Sequence, residues 1–566
     1  MHSGHKRVLL CALNSKYIHV NLAVRYIKAY ADAHAPHIDC ILLEGTVNEP
    51  FEVLKARILA EKPDILAFSV YIWNISTIRA LCASLRALLP GVPFLFGGPE
   101  ITYNPEVYLA TRMADYALCG EGERPFTLLC EALATGSPIP HGLGIGRLEN
   151  GQAILEAPYT EKDLSVLESP YTPEYIGSLR GRIAYAEASR GCPFSCAFCL
   201  SSACHGVRHF PMDEVKRFLP LLWNSGAGTV KFIDRTFNAD KARAKEILSF
   251  ILAHRAEIPS PVCFHFEVAA DRLDEELLDI FENAPQGLFQ LEAGLQSFNP
   301  KTLEAVARHT DLEKLSSHVR RIAAAGRVHI HVDLIAGLPY EGLDSFRDSF
   351  NRAYRLGASM LQLGFLKLLY GSALRDSADE YDYVFSDEPP YEIRSTAWLS
   401  PDEMQKLHAV EDACDRIHNS GRFRESLAYA LACAGLEPFD LFLAFGQKPS
   451  LPLDEYTALV FEYFAALPGV DRGVLRDKMC CDRLRSNRSG RLPECLKVPD
   501  ARLSRICAKL ERDPLTAPAP GVRRTVCILY SQNAVVYADY PTKKEQTQSS
   551  AFGAETPLHF LPLDTL

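Results

Sequence analysis

Short apolar runs alternate with amphipathic segments along much of this 566-residue chain, and this alternation constrains the fold more than any other feature. In residues 1–140 the apolar runs lie at 8–11, 40–43, 65–70, 94–96 and 116–118, with segments of helical periodicity between them. Such a pattern is typical of an α/β domain whose helices cover a parallel sheet. Because ligands of such sheets bind at the carboxyl ends of the strands, we expect a site in the loops that follow them.

The same alternation resumes in residues 181–375, where six strand–helix units are predicted. Their strands lie at 183–187, 229–233, 263–267, 288–292, 329–334 and 360–366. Six units are too few for a closed eight-stranded barrel, so they favour a partial (β/α)6 barrel of the TIM type. Residues 141–180 are predicted to form a connector with a short hairpin at 146–154. Residues 376–566 are predicted to form a mixed, mainly α C-terminal extension.

Composition excludes several classes of protein. The chain is 48% hydrophobic and 23% charged, which indicates a folded rather than a disordered chain. No uninterrupted apolar stretch reaches the roughly 18 residues of a membrane span, and the first residues have no signal-peptide layout. The net charge of −10 gives no strong nucleic-acid signal. The 17 cysteines of such a chain are not a disulfide framework, so we expect a cytoplasmic protein with reduced thiols.

Three of these cysteines form a compact motif. Cys192, Cys196 and Cys199 lie in the sequence EASRGCPFSCAFC at 187–199, directly after the first strand of the barrel. Three thiolates can ligate three irons of a cubane cluster and leave the fourth iron open for chemistry. A zinc site remains an alternative if Cys204 and His205 supply further ligands.

Residues 185–199 resemble the signature of the radical S-adenosylmethionine (SAM) superfamily. The resemblance implies a [4Fe–4S] cluster on the three cysteines, SAM chelated to the open iron, and cleavage of SAM to methionine and a 5′-deoxyadenosyl radical. Phe198 corresponds to the aromatic residue near the adenine. Less sharply matched strand ends supply the other candidates for SAM contacts, which are Asp234, Glu267, Glu292, Gln296, Asp333 and Gly337. For Asp234, an ion pair with Arg235 is the alternative role.

The N-terminal domain resembles the Rossmann-like cobalamin-binding domain of one radical SAM branch. The similarity lies in ALNSKYIHVNLAVRY at 12–26, SVYIWN at 69–74 and FGGPE at 96–100. In such domains a serine and a Gly-Gly pair cradle the nucleotide tail of the cofactor. No Asp-x-His-x-x-Gly loop follows the first strand, so we expect cobalt without a histidine ligand from the protein; loss of cobalamin is the alternative. The implied cobalamin contacts are Asn14, Ser69, Tyr71, Gly97, Gly98 and Glu121.

The C-terminal third resembles the uncharacterised DUF4080-like extension of a subgroup of these proteins. The similarity lies in PYEIRSTAWLS at 390–400 and NSGRF at 419–423, and it implies no activity. Residues 471–491 contain seven Lys or Arg against three Asp, which predicts a solvated loop or a patch for an anionic partner. Either an extra metal site or packing is predicted for the cysteines Cys480, Cys481, Cys495 and Cys507.

The whole pattern predicts a cobalamin-dependent radical SAM enzyme that modifies an unreactive carbon, with methylation as the first expectation. Radical rearrangement or cyclisation without methyl transfer is the mechanistic alternative. A non-catalytic corrinoid or redox sensor is another alternative, as is a methylthiotransferase with a second cluster on Cys11, Cys40 and Cys82. The expected partners are a small-molecule or peptide substrate and an electron donor such as flavodoxin or ferredoxin.

Overall fold

The computed structural model describes residues 5–203, 206–487, 489–513, 515–519, 521–540 and 556–565. The chain forms two compact units. The first unit comprises Met1–Ala269, Val306–His309 and Leu366–Thr396, and the second comprises Ala270–Ala305, Thr310–Phe365 and Ala397–Leu566. Cys204 and His205, the further zinc ligands considered above, lie outside the described residues.

The first unit begins with a seven-stranded sheet. Its strands are β1 (Lys6–Asn14), β2 (Ile38–Thr46), β3 (Ile65–Ser69), β4 (Phe94–Gly97), β5 (Tyr116–Leu118), β6 (Ile145–Glu149) and β7 (Gln152–Ile154). They lie in the order β2-β1-β3-β4-β5-β6-β7, and the first five are parallel, as the alternation predicted. The hairpin β6–β7 was expected in a connector, but it pairs antiparallel with β5 and extends the sheet. It thereby supplies hydrogen-bond partners for the edge of β5.

Helices cover both faces of this sheet. They are α1 (Leu22–His34), α2 (Phe51–Ala60), α3 (Ile75–Leu85), α4 (Pro99–Thr102), α5 (Pro105–Ala110) and α6 (Glu123–Thr135). Successive residues of a strand point to opposite faces, so Cys11 of β1 packs with α2–α5 while Leu10 packs against α1 and α6. Cys11 and Cys82 lie in one core cluster and Cys40 in the other, so these three buried thiols do not assemble a second cluster site.

The first unit continues with the first half of the predicted barrel. Strands β8 (Ile183–Ala186), β11 (Thr229–Phe232) and β12 (Cys263–Val268) are parallel, and β11 pairs with both others. A two-stranded antiparallel ribbon of β9 (Ser189–Cys192) and β10 (Gly206–His209) follows β8. The accompanying helices are α7 (Pro173–Gly177), α8 (Met212–Trp223) and α9 (Lys241–Ala253).

The second unit contains the other predicted barrel strands. They are β13 (Phe289–Gln296), β14 (His329–Ala336) and β15 (Met360–Phe365), and β14 pairs in parallel with both neighbours. Helices α10 (Glu275–Glu282), α11 (Pro300–Ala305), α12 (Leu312–Ala325) and α13 (Leu343–Tyr354) connect or flank them. All six predicted strands therefore form. In the first unit, residues 366–396 add α14 (Ala373–Asp376) and the antiparallel pair β16 (Val384–Phe385) and β17 (Ile393–Ser395).

The rest of the second unit is mainly helical. A capping box between Ser400 and Glu403 begins α15 (Pro401–Ala413), and a π-helical turn, Cys414–Asn419, continues it. The other elements are α16 (Arg424–Ala434), α17 (Pro438–Phe445), α18 (Leu453–Ala465), α19 (Arg472–Ser486), α20 (Arg502–Arg512), and the antiparallel strands β18 (Arg523–Leu529), β19 (Ala534–Tyr540) and β20 (His559–Pro562). Among the described residues, no single helix is long and apolar enough to cross a membrane, although the bent pair α16–α17 meets the length and composition criteria together.

The basic segment 471–491 differs from its prediction. Most of it is the helix α19, in which Arg476 and Asp477 are buried and form an ion pair of 2.8 Å. The Arg476 guanidinium also donates to the carbonyl oxygens of Leu496 and Ile528. The prediction of a solvated loop or patch was wrong, because partners that are remote in sequence satisfy charges that a local count treats as exposed.

Candidate functional site

The three motif cysteines lie on one loop that begins at the end of β9. Cys192 ends that strand, and its Sγ is 3.5 Å from Thr236 Oγ1. Cys196 is buried, and its sulfur accepts a hydrogen bond of 3.7 Å from Arg308 Nη1. Burial raises the pKa of the Cys196 thiol, and the Arg308 guanidinium opposes that shift. The Cys199 amide donates to the Cys196 carbonyl at 3.0 Å, which closes the turn.

These thiols are not arranged for a single ion. Among the described residues, no three His, Cys, Asp or Glu side chains converge as ligands of one metal. Structural zinc needs four ligands around one point, whereas the three thiolates of a cubane cluster bind three different irons. A cluster needs only the three described cysteines, whereas the zinc alternative depends on Cys204 and His205, which lie outside the described residues. The same observation gives no support to an extra metal on the described C-terminal cysteines, of which Cys480 and Cys481 are buried.

Asp234 organises the start of this loop. Its carboxylate is buried and accepts hydrogen bonds from the Ala188 amide at 2.9 Å and the Ser189 hydroxyl at 2.5 Å. Burial raises the pKa of Asp234 to about 7, despite these two donors. Both carboxylate oxygens are thus engaged within the protein, and Asp234 does not line the cavity described below. Arg235 makes no ion pair with it among the described residues.

A cavity of about 750 Å³ opens at the carboxyl ends of the N-terminal sheet, within the first unit. One side is formed by Ser69, Tyr71, Gly97, Gly98 and Glu121, which follow or end β3, β4 and β5. The facing wall comes from the residues before the first motif cysteine and from strands β11 and β12. That wall contains Glu187, Ser189, Arg190, Gly191, Lys231, Ile233, Arg235 and Glu267.

Part of this cavity is apolar. Side chains from the face of the sheet that α1 and α6 cover reach into its lining. They include Leu10, Ala67, Leu95, Leu118 and Phe126. The lining thus combines a hydrophobic region with a small polar region at the strand ends, as is typical of sites for large organic cofactors.

The glycines around the cavity serve different purposes. At Gly98 φ is +111°, and a Cβ would lie 2.5 Å from the Val70 carbonyl oxygen. At Gly120 φ is +96°, and a Cβ would lie 2.1 Å from the Tyr159 carbonyl oxygen. Both glycines are therefore required by the chain itself. At Gly97 the nearest atom to a Cβ would be Leu118 Cβ at 3.5 Å, an ordinary contact, so the open space beside Gly97 is available to a ligand.

A buried charge network joins the loop after β5 to the cysteine loop. The Arg190 guanidinium lies 3.3 Å from Glu121, 2.7 Å from Glu123 and 3.1 Å from Glu187. Arg208 donates to Glu121 at 3.1 Å. Burial alone would raise the pKa of Glu121, but the two guanidinium groups hold it below its usual value. For Glu187 burial prevails, and its pKa is raised.

The other predicted contacts fall into two groups. Glu267 lines the cavity and lies 3.7 Å from Lys231, whereas Phe198 does not line it. Asn14 also does not line it, and its amide donates to the His19 carbonyl at 3.1 Å and to Glu44 Oε1 at 3.2 Å. The remaining candidates belong to the second unit: Glu292 lies in the middle of β13, Gln296 ends that strand, Asp333 lies within β14, and Gly337 directly follows β14.

Two of these second-unit residues have unusual backbone conformations. Gln296 has a φ of +71°, and its buried side-chain oxygen has no hydrogen-bond partner among the described residues. Gly337 has a φ of +92°. A buried, unpaired amide oxygen is costly, so Gln296 is suited to a hydrogen bond from a bound group.

Sequence reasoning missed several residues of the cavity wall. Arg190 lies in the cysteine motif three residues after Glu187, so this one pair was a local signal, whereas Glu121 and Glu123 are remote in sequence. Arg208 and Tyr159 carried no local signal, because their partners Glu121 and Gly120 are remote in sequence. No histidine lines the cavity among the described residues, and His19 Nδ1 instead lies 2.8 Å from the Tyr185 hydroxyl.

Family models match three parts of the chain. The B12 binding domain matches residues 8–129, the Radical SAM superfamily residues 187–353, and the protein of unknown function DUF4080 residues 379–513. The 2-(S-pantetheinyl)-carbapenam-3-carboxylate methyltransferase of Streptantibioticus cattleyicolor is 28% identical over 52% of this chain and 45% of its own length. The cobalamin-dependent radical SAM methyltransferase TokK of Streptomyces tokunonensis is 25% identical over 63% of this chain and 54% of its own length. The chain thus spans about half the length of these curated relatives.

Solved structures share the fold. The radical SAM methyltransferase TsrM of Kitasatospora setae, with cobalamin and a [4Fe–4S] cluster bound, is 17% identical with a TM-score of 0.55, covering 68% of this chain and 76% of that chain. The cobalamin-dependent radical enzyme OxsB, with aqua-cobalamin and S-adenosylmethionine bound, is 13% identical with a TM-score of 0.60, covering 90% of this chain and 75% of that chain. The chain thus contains, in this order, a B12-binding domain, a Radical SAM domain and a DUF4080 domain.

Proposed function

We propose that this protein is an enzyme that uses a [4Fe–4S] cluster, SAM and cobalamin to methylate an unreactive carbon. The observation that carries the proposal is the shared lining of the cavity. The strand ends of the B12-binding domain form one side of it, and the residues directly before Cys192 form the other. A cofactor held there would lie beside the cysteine loop, as chemistry that combines the two groups requires.

The residues of the cavity fit cobalamin. Its volume of about 750 Å³ suits a large cofactor, and its apolar region suits the base of a nucleotide tail. Gly97 leaves space for a close approach to the backbone, and the Ser69 hydroxyl accepts from Asn21 at 3.1 Å, which fixes its position. We assign cobalamin contacts to Ser69, Tyr71, Gly97 and Gly98, and we assign to Glu121 the role of fixing the wall through its two arginines.

The cysteine loop fits the cluster and part of the SAM site. Cys192, Cys196 and Cys199 would hold the cluster, with Arg308 donating to the sulfur of Cys196. Glu267, which lines the cavity, is the SAM contact that we retain with most support, and the contacts predicted in the second unit stay predictions. When bound, the cluster and SAM would supply an organic radical that abstracts a hydrogen atom from the substrate, and cobalamin would supply the methyl group for the resulting carbon. The protein itself would bind and orient them, and the Arg190 network joins the two sides of the cavity.

The partners follow from this chemistry. We propose a small-molecule or peptide substrate, and a flavodoxin or ferredoxin as the electron donor. We also propose a cytoplasmic location, because all sixteen described cysteines are free thiols and a reducing compartment keeps them so.

The test uses the full chain, reconstituted with iron and sulfide without oxygen. The reduced protein should show the EPR signal of a cubane cluster, and dithionite with SAM should yield 5′-deoxyadenosine. Cys196→Ala should lose both, whereas Cys433→Ala, a half-buried cysteine outside the motif, should keep them. Hydroxocobalamin should bind at equilibrium, and methylated products should appear in a metabolite screen. An intact cluster that never cleaves SAM would overturn the enzyme assignment.

A further inference from the structure

The segment 366–396, called here the linking segment, belongs to the first unit together with the B12-binding domain and the cysteine loop. Its two ends are joined to each other. The Leu368 amide donates to the Tyr391 carbonyl at 3.0 Å, and the Ile393 amide donates to the Leu366 carbonyl at 3.2 Å. The residues between these two ends form a loop that contacts two other loops of the first unit. Part of it lies in the region that the DUF4080 model matches.

At one point the linking segment reaches the turn at the end of β4. The Tyr391 hydroxyl donates to Glu100 Oε1, and the Tyr108 hydroxyl donates to the same oxygen at 2.9 Å. Glu100 is 3% exposed and follows Gly97-Gly98-Pro99 directly. A buried carboxylate needs such donors, so the two hydroxyls fix the position of Glu100 and of the glycine turn before it.

A second contact reaches the cavity wall. Gly371 has a φ of +84°, and a Cβ there would lie 2.2 Å from Cγ of Tyr103. Tyr103 itself lines the cavity. The Arg375 guanidinium lies 3.7 Å from the ring centroid of Tyr370 and 5.1 Å from that of Tyr391, which ties both halves of the segment together. The linking segment therefore packs directly against a side chain that lines the cavity.

A third contact reaches the cysteine loop. The Leu374 amide donates to the Ala197 carbonyl at 2.9 Å, and Ala197 lies between Cys196 and Phe198. Leu374 is buried, so this hydrogen bond is shielded from water. One short segment thus holds the backbone of the cysteine loop and, through Tyr391 and Gly371, the glycine turn of the other domain.

From these three contacts we infer that the linking segment positions the two cofactor loops relative to each other, with Tyr391 and Gly371 as positioning residues for the cobalamin cavity. The inference rests on the proposed function. It gives the first part of the DUF4080 region a role in the cofactor site. Tyr391 acts through Glu100 and touches no cofactor itself.

The test compares two hydroxyl deletions in one segment. Tyr391→Phe removes the donor to Glu100, whereas Tyr370→Phe removes a hydroxyl that makes no hydrogen bond with any described residue. In the anaerobically reconstituted full chain, we expect the Kd for hydroxocobalamin to rise about tenfold in Tyr391→Phe, since hydrogen bonds to charged groups are the stronger ones. Tyr370→Phe should bind like the wild type.

Three further readouts distinguish positioning from general destabilisation. The EPR spectrum of the reduced cluster should be unchanged in Tyr391→Phe, because Leu374 still holds the cysteine loop. Glu100→Gln keeps an acceptor for both hydroxyls and should largely retain cobalamin affinity. Glu100→Met removes that acceptor and should raise the Kd for hydroxocobalamin about as much as Tyr391→Phe does. It tests the same contact if the tyrosine variant folds poorly. The double variant Tyr391→Phe/Glu100→Met should bind no more weakly than the weaker single variant.

The outcomes separate the two proposals. A wild-type chain that does not bind hydroxocobalamin would reject the cobalamin part of the proposed function. A wild-type chain that binds, with Tyr391→Phe and Glu100→Met both within twofold of it, would reject the positioning role alone. Equal loss in Tyr391→Phe and Tyr370→Phe would also reject it.

Discussion

The contrast between Gly97 and Gly98 gives a direct test of where cobalamin binds. In Gly97→Ala the new methyl group would meet only Leu118, at 3.5 Å, so the free energy of unfolding of the apoprotein should change by less than about 1 kcal/mol. A ligand packed against β4 would be displaced by that methyl group. Overpacking costs about 1–3 kcal/mol, so the Kd for hydroxocobalamin should rise about five- to 150-fold.

Gly98→Ala is the matched control. Its methyl group would lie 2.5 Å from the Val70 carbonyl oxygen at a φ of +111°, so this variant should lower the melting temperature of the apoprotein by several degrees. Equilibrium dialysis and thermal unfolding of both variants measure the two effects. Wild-type affinity in Gly97→Ala would refute the reasoning, because it would mean that no ligand approaches the backbone of β4.

Three other changes test the loops around the cavity. Arg190→Met leaves Glu121, Glu123 and Glu187 without their shared cation, so thermal unfolding should show a loss of about 3–5 kcal/mol, and an unchanged melting temperature would contradict the network. The pKa of Asp234 is raised to about 7 in the folded protein, so its contribution to the free energy of unfolding is complete below pH 3.8 and is lost as the pH rises through 7. Denaturant unfolding of the apoprotein should show this decline, and Asp234→Asn should remove it. Exposure of the cluster to a chelator and oxygen should abolish 5′-deoxyadenosine formation without releasing bound hydroxocobalamin. The absorbance of the desalted protein measures how much hydroxocobalamin stays bound.

The strands and the cysteine loop could be predicted because their signals are local. Strand period and helix period act within a dozen residues, and the spacing of Cys192, Cys196 and Cys199 lies within eight. Gly97 and Gly98 are adjacent and chemically identical, yet only the structure distinguishes the residue that the Val70 backbone requires from the residue with free space beside it.

The sequence does not show which polar side chains have partners within the protein. A carboxylate at the end of a strand can serve a ligand or a backbone amide equally well, and the Asp234 carboxylate serves Ala188 and Ser189. The charges of α19 looked solvated because the partner of Arg476, the Ile528 carbonyl, lies 52 residues away. Asn14 is engaged by His19 and Glu44 in the same way. Burial and pairing depend on tertiary contacts, and residue type at a strand end does not encode them.

The charge network joins the two sides of the cavity. Arg190 lies two residues before Cys192, and three carboxylates share its buried guanidinium. A shift of the cysteine loop would separate at least one of these pairs in a low-dielectric setting, where an unpaired charge is far more costly than at the surface. Because Glu121 and Glu123 come from the other side of the cavity, the two sides resist moving apart. The charge pairs that hold this wall together are thus all supplied by the protein itself.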